Sequence, residues 1–180
     1  MFTWENTLSI SSNVMLLLTV TLLLVNYKEG KYAFLALAFY FIQIIIINLI
    51  SIGYLPASKK IAFYAGIWNN LLDAPLMLIG LLYFADNKAT QKVILYLLSA
   101  FILFEMIVYM ITGLSMKMLT IIIGPGLLLV LVISGYFFLI HVKSSFNRSK
   151  DTGKAFITGS LMFAYTCFNF IYLLYYVLHN

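Results

Sequence analysis

Residues 93–113 read VILYLLSAFILFEMIVYMITG, a run of twenty-one with one charged residue, Glu105. About 20 apolar residues in a helix span the hydrocarbon core of a bilayer, which is about 30 Å thick. The run has no two-residue alternation, so it is not a barrel strand, and a spanning helix satisfies its own backbone. Its side chains are apolar on nearly every face. Lipid accepts such a surface and water does not.

Five further runs read the same way: 8–26, 32–54, 61–84, 118–141 and 155–179. The composition agrees, with 63% hydrophobic and 9% charged residues. A soluble domain carries about 25% charged residues. The expected fold is therefore an all-α integral membrane protein, a bundle of about six transmembrane helices in a single domain over residues 1–180. Residues 27–31, 55–60, 85–92, 114–117 and 142–154 form short links, so neighbouring helices run antiparallel. The first run has no basic region before it and no small-residue cleavage pattern after it. It reads as a retained helix rather than a signal peptide.

The formal net charge is +5. The basic residues lie in the links and form no long stripe, so topology explains them and nucleic-acid binding is not expected. With the N-terminus outside, Lys28, Lys31, Lys88, Lys92, Lys143, Arg148, Lys150 and Lys154 face the cytoplasm, eight against the three of Lys59, Lys60 and Lys117. Both termini are then outside. Trp4, Tyr27, Tyr32, Tyr54 and Tyr83 fall near span ends, where interfacial aromatics belong. The expected location is a bacterial cytoplasmic membrane.

Only two acids fall within spans, Asp73 and Glu105; Glu5, Glu29, Asp86 and Asp151 do not. A charge at the centre of a span costs about 2.5–3.5 kcal/mol on insertion scales, so such residues turn to an interior or a cavity. Both acids lie near the middle of adjacent antiparallel runs. No lysine or arginine lies inside a span to neutralise them, which leaves protonated carboxyls or a bound cation as the resolution. Asn69 stands one helical turn before Asp73, next to Asn70, and Pro75 follows. Proline removes a helical hydrogen bond, frees the carbonyl of Leu71 and kinks the helix. Broken helices at mid-membrane line binding sites in transporters. Pro125, between Gly124 and Gly126, makes a second helix break and frees the carbonyl of Ile121.

Other spans add polar groups: Gln43 and Asn48 in the second, Tyr109 one turn after Glu105, and Tyr165, Asn169, Tyr172 and Tyr176 as one stripe of the sixth. The first span reads as plain. Amides and tyrosines in spans also act as interhelical hydrogen-bond glue, worth about 0.6 kcal/mol on average.

Several chemistries lack a signature. His141 and His179 fall at span ends and read as interfacial. Cys167 is the one cysteine and reads as packing. No HExxH, paired-cysteine, GxSxG or glycine-rich phosphate motif occurs, and no metal site is expected. Ser9, Ser11 and Ser12 read as an interfacial start.

Asn70-Leu71-Leu72-Asp73-Ala74-Pro75-Leu76 is similar to the Trp-Leu-Leu-Thr-x-Pro-Leu pattern in the third helix of microbial rhodopsins. The similarity covers seven residues of 180. Rhodopsins have seven helices and a retinal-linking lysine in the seventh. Six runs and no lysine inside a span exclude covalent retinal here, and no cofactor is expected.

The expected function is binding or transport of a small solute, ion or proton through a midplane pocket centred on Asp73 and Glu105. Asn69, Asn70, Gln43, Tyr109, Asn169 and Tyr165 would support it. The alternatives are a non-catalytic membrane subunit or sensor module, and an intramembrane lipid-modifying enzyme. The expected partners are the lipid bilayer, a small ligand, and a second copy or another membrane subunit.

Overall fold

Six long helices account for nearly all of residues 4–148 and 151–177, which the computed structural model describes. They are α1 (Trp4–Val25), α2 (Tyr27–Ser51), α3 (Lys59–Leu81), α4 (Lys88–Thr112), α5 (Met116–Arg148) and α6 (Thr152–Tyr172). Every one is long and apolar enough to cross a membrane. The described residues contain no strand.

Local chemistry sets several ends. Ser58 accepts the Ile61 N–H at 3.3 Å before α3, and Asn87 accepts the Thr90 N–H at 2.6 Å before α4. Both are side-chain caps of amides that the first helical turn leaves open. Gly113 ends α4 at φ 64°, a conformation that costs glycine little.

Three ends depart from the hydropathy reading. The first is α5, which continues seven residues past His141, because the chain turns polar there without meeting a helix breaker. The second is α2, which begins inside the expected link and is broken at Lys31 (φ 42°, ψ −118°), a strained backbone for a residue with a Cβ. The third is α6, which ends at Tyr172 and passes into a π-helical turn, Leu173–Val177.

The chain divides into two compact units, Met1–Tyr83 and Phe84–Asn180. In the first, α1 packs on α2 and α2 on α3. Val20, Ala38 and Ile45 form an apolar cluster with Leu16, Leu23, Phe41 and Leu49 around it. In the second, α5 packs against both α4 and α6. Large apolar residues such as Met110, Ile111 and Phe163 are more than half exposed, a surface suited to lipid.

Candidate functional site

Within the first unit, two contacts set the register of α2 on α3. The rings of Phe34 and Tyr83 meet at 4.7 Å, and Leu37 packs over Gly80, where an added Cβ would lie 2.5 Å from Leu37 Cδ2. Three residues forward on α2 match three residues back on α3. Continued inward, the register sets Asn48 level with Asn69, and Gln43 level with Asp73 and Ala74. Asn69 and Asp73 precede Gly80 by three turns and two turns, so they share the face of α3 turned to α2. Asn48 lies three turns beyond Leu37, on the face of α2 turned to α3.

In this register Asn48 and Asn69 form a polar layer one turn from Asp73, and α1 joins it. Asn13 is 6% exposed, and its Oδ1 accepts the Asn48 side-chain N–H at 3.1 Å. The first helix is thus not plain. The signal was an asparagine inside an apolar run, the same one that marks Asn48. Two atoms of the layer, Asn13 Nδ2 and Asn69 Oδ1, are buried with no hydrogen-bond partner among the described residues. Asp73 is half-buried, and Pro75 is buried within α3.

Two of the expected supporting residues stand apart from the layer. Asn70 is exposed and donates to the carbonyl of Gly66, in its own helix, at 2.8 Å. Gln43 has the depth of Asp73 in this register, more than one turn from Asn48. Its Oε1 is buried and also lacks a partner among the described residues.

In the second unit, Glu105 is half-buried on α4, and its buried Oε1 has no hydrogen-bond partner among the described residues. Tyr109, one turn later, is 48% exposed. Tyr165 and Asn169 are buried on α6, and Asn169 donates to the Tyr165 carbonyl at 2.8 Å. Tyr172 completes the stripe by donating its hydroxyl to the Thr120 carbonyl of α5 at 2.7 Å. Its ring lies over Gly124, beside Pro125, through which α5 runs on as one helix. The side chain of Tyr176 and all of His179 lie outside the described residues.

His141 corrects the interfacial expectation. It is fully buried on α5, packed against the rings of Phe84 and Phe137, each 6.1 Å away. Neither ring nitrogen has a hydrogen-bond partner among the described residues. Hydropathy alone placed it at a helix end, whereas α5 carries it two turns inside. Beyond it lies a charged cluster. Ser144 donates to Asp151 Oδ2 at 3.0 Å, and Lys154 Nζ lies 2.9 Å from Asp86 Oδ1 and 3.7 Å from Asp151 Oδ1. The Ser144 hydrogen bond, aided by Lys154 and His141, holds the Asp151 carboxyl below its usual range. No group of three His, Cys, Asp or Glu side chains that could hold a metal ion occurs among the described residues.

Set against known protein families, curated proteins and solved structures, the chain matches none of them.

Proposed function

We propose that this chain is an integral membrane protein that binds or transports a small solute, ion or proton, with Asp73 and Glu105 as its protonatable groups. The supporting observation is incomplete pairing among the buried amides of the first unit. Asn13 Nδ2 and Asn69 Oδ1 are buried and have no hydrogen-bond partner among the described residues. Leaving a buried polar group unsatisfied costs about 1–3 kcal/mol. A layer that only holds helices together gains nothing by carrying that cost, whereas a small polar ligand or water would satisfy both atoms. The basic links orient the chain with both termini outside.

The test is gradient dissipation in liposomes. Purified protein is reconstituted with an entrapped pH-sensitive dye, and imposed proton, sodium, potassium and ammonium gradients are followed. The wild type is expected to collapse one of them faster than protein-free liposomes. Asp73→Asn should remove that flux at equal recovery of folded protein, and undiminished flux in the variant rejects the reading.

A second reading has its own observations. Asn48–Asn13 joins α2 to α1, and Tyr172–Thr120 joins α6 to α5. These bonds support a non-catalytic subunit whose polar residues hold helices together. On that reading Asp73→Asn and Glu105→Gln lower thermal stability and change no flux.

A further inference from the structure

His141 is a buried titratable group that neither the amide layer of the first unit nor Glu105 uses. Its ring stacks on Phe137 at 18° and meets Phe84 edge-on at 61°. A neutral imidazole carries one donor and one acceptor. Both nitrogens are buried without a hydrogen-bond partner among the described residues. A third phenylalanine would fill this stack and leave no polar atom unsatisfied, so packing alone does not call for histidine here.

The register of α5 on α6 shows what the ring faces. Ser144 bonds to Asp151, and Phe138 packs over Gly159. His141 lies three residues from each of Ser144 and Phe138, which sets it level with Ala155, a small and buried residue. Asp151 precedes Ala155 by about one turn, and Ser144 follows His141 by nearly one, so both lie on the faces that meet at the ring. One turn is about 5.4 Å of rise. A charge on His141 acts on the Asp151 carboxyl at this separation, and such coupling is reciprocal.

The charged groups on the surrounding elements are Asp86 before α4, Lys88 and Lys92 on α4, Asp151 and Lys154 on either side of the start of α6, and Lys143 on α5 itself. Lys88, Lys92 and Lys143 are exposed and enter neither ion pair of the cluster. Lys154 Nζ lies 2.9 Å from Asp86 and 3.7 Å from Asp151, so one ammonium serves two carboxylates. Asp86 is exposed, which opens the cluster to water. A proton on His141 would supply a second cation beside Asp151. The step is a single protonation: a hydronium ion gives its proton to the lone pair of the bare ring nitrogen, leaving imidazolium and water.

We propose that His141 is a buried proton-binding site, filled from the water side past Ser144 and Asp151, whose imidazolium is balanced by the Asp151–Lys154–Asp86 cluster. The site is separate from Asp73 and Glu105 and does not depend on flux through them.

The experiment is a titration of the ring nitrogens by NMR. The chain has two histidines, and H179Q leaves one. The H179Q protein, labelled with nitrogen-15 histidine and held in nanodiscs, is taken from about pH 8 to about pH 5, the range in which histidine changes charge. The His141 signals should pass reversibly from a neutral tautomer to imidazolium while circular dichroism shows the helices intact. D151N in that background should weaken proton binding at His141 on the order of tenfold. D86N should act in the same direction more weakly, and it carries the test if D151N does not fold. H141F/H179Q should take up about one proton fewer per chain over the same range and unfold no lower than H179Q at neutral pH. A ring that stays neutral until the chain unfolds overturns the proposal. So does proton binding that neither D151N nor D86N weakens, or uptake that H141F leaves unchanged.

Discussion

Asp151 is the residue whose titration the structure fixes most directly. Its carboxylate takes the Ser144 hydroxyl and lies beside Lys154, and both favour the ionised form. A carboxyl held below its usual range stabilises the folded state fully above the unfolded value. That contribution drains as pH falls through the lower, folded value. The acid limb of thermal stability should therefore be steeper in the wild type than in Asp151→Asn, which should unfold lower at neutral pH and converge with the wild type in acid. Parallel acid limbs would show that the Ser144–Asp151–Lys154 contacts contribute nothing. At this scale the sequence was partly legible. Asp73 and Glu105 stand out because an acid in an apolar run is costly anywhere. Asn13 was marked by the same kind of signal and is buried against Asn48. The surroundings of His141 were not legible. A histidine at the last apolar position reads the same whether its helix stops there or continues for two turns, and only the continuation buries it.

Among the elements, α5 and α6 make an approach that a single atom can test. A Cβ at Gly124 would lie 2.7–2.8 Å from Cε1, Cζ and Oη of Tyr172. A tyrosine ring cannot yield by turning its tip, so it must move as a body and pull its hydroxyl from the Thr120 carbonyl. Gly124→Ala should cost about 1–3 kcal/mol, the usual range for overpacking. Gly135, on the same helix, is the contrasting site. An added Cβ there meets Met162 Sδ at 3.6 Å, an ordinary contact. Gly135→Ala should therefore be neutral or stabilising, by up to about 1 kcal/mol of helix propensity. Thermal unfolding of the two variants should move in opposite directions. A common shift would place the close packing elsewhere. The elements themselves were legible because a membrane span needs only length and apolarity, and all six runs had both. Their ends were less so. Hydropathy marks where a segment leaves the hydrocarbon, whereas hydrogen bonding decides where the helix stops. The two diverge at Arg148, where polar residues still propagate a helix, and at Tyr27, where helix begins among the residues expected to form a link.

At the scale of the whole molecule, the chain's sidedness turns on its links. Each short link reverses the direction of the chain, so helix parity ties every link to the side of the first. Eight basic residues fall on links one, three and five, and three fall on links two and four. Basic residues in short links are retained on the cytoplasmic side, and this bias sets orientation without help from acids. Two of the eight, Lys143 and Arg148, lie in the sequence of the long end of α5. Single cysteines placed in a Cys167→Ser background should report this. Lys60→Cys and Lys117→Cys should react with a membrane-impermeant maleimide on intact cells, and Lys92→Cys and Lys143→Cys only after permeabilisation. The inverted pattern would put the basic links outside and overturn the orientation as a whole. The same accessibility at Lys92 and Lys117, which bracket the apolar run of α4, would be more damaging. It would mean that α4 does not cross, and the six-span reading would fail at the run that first supported it.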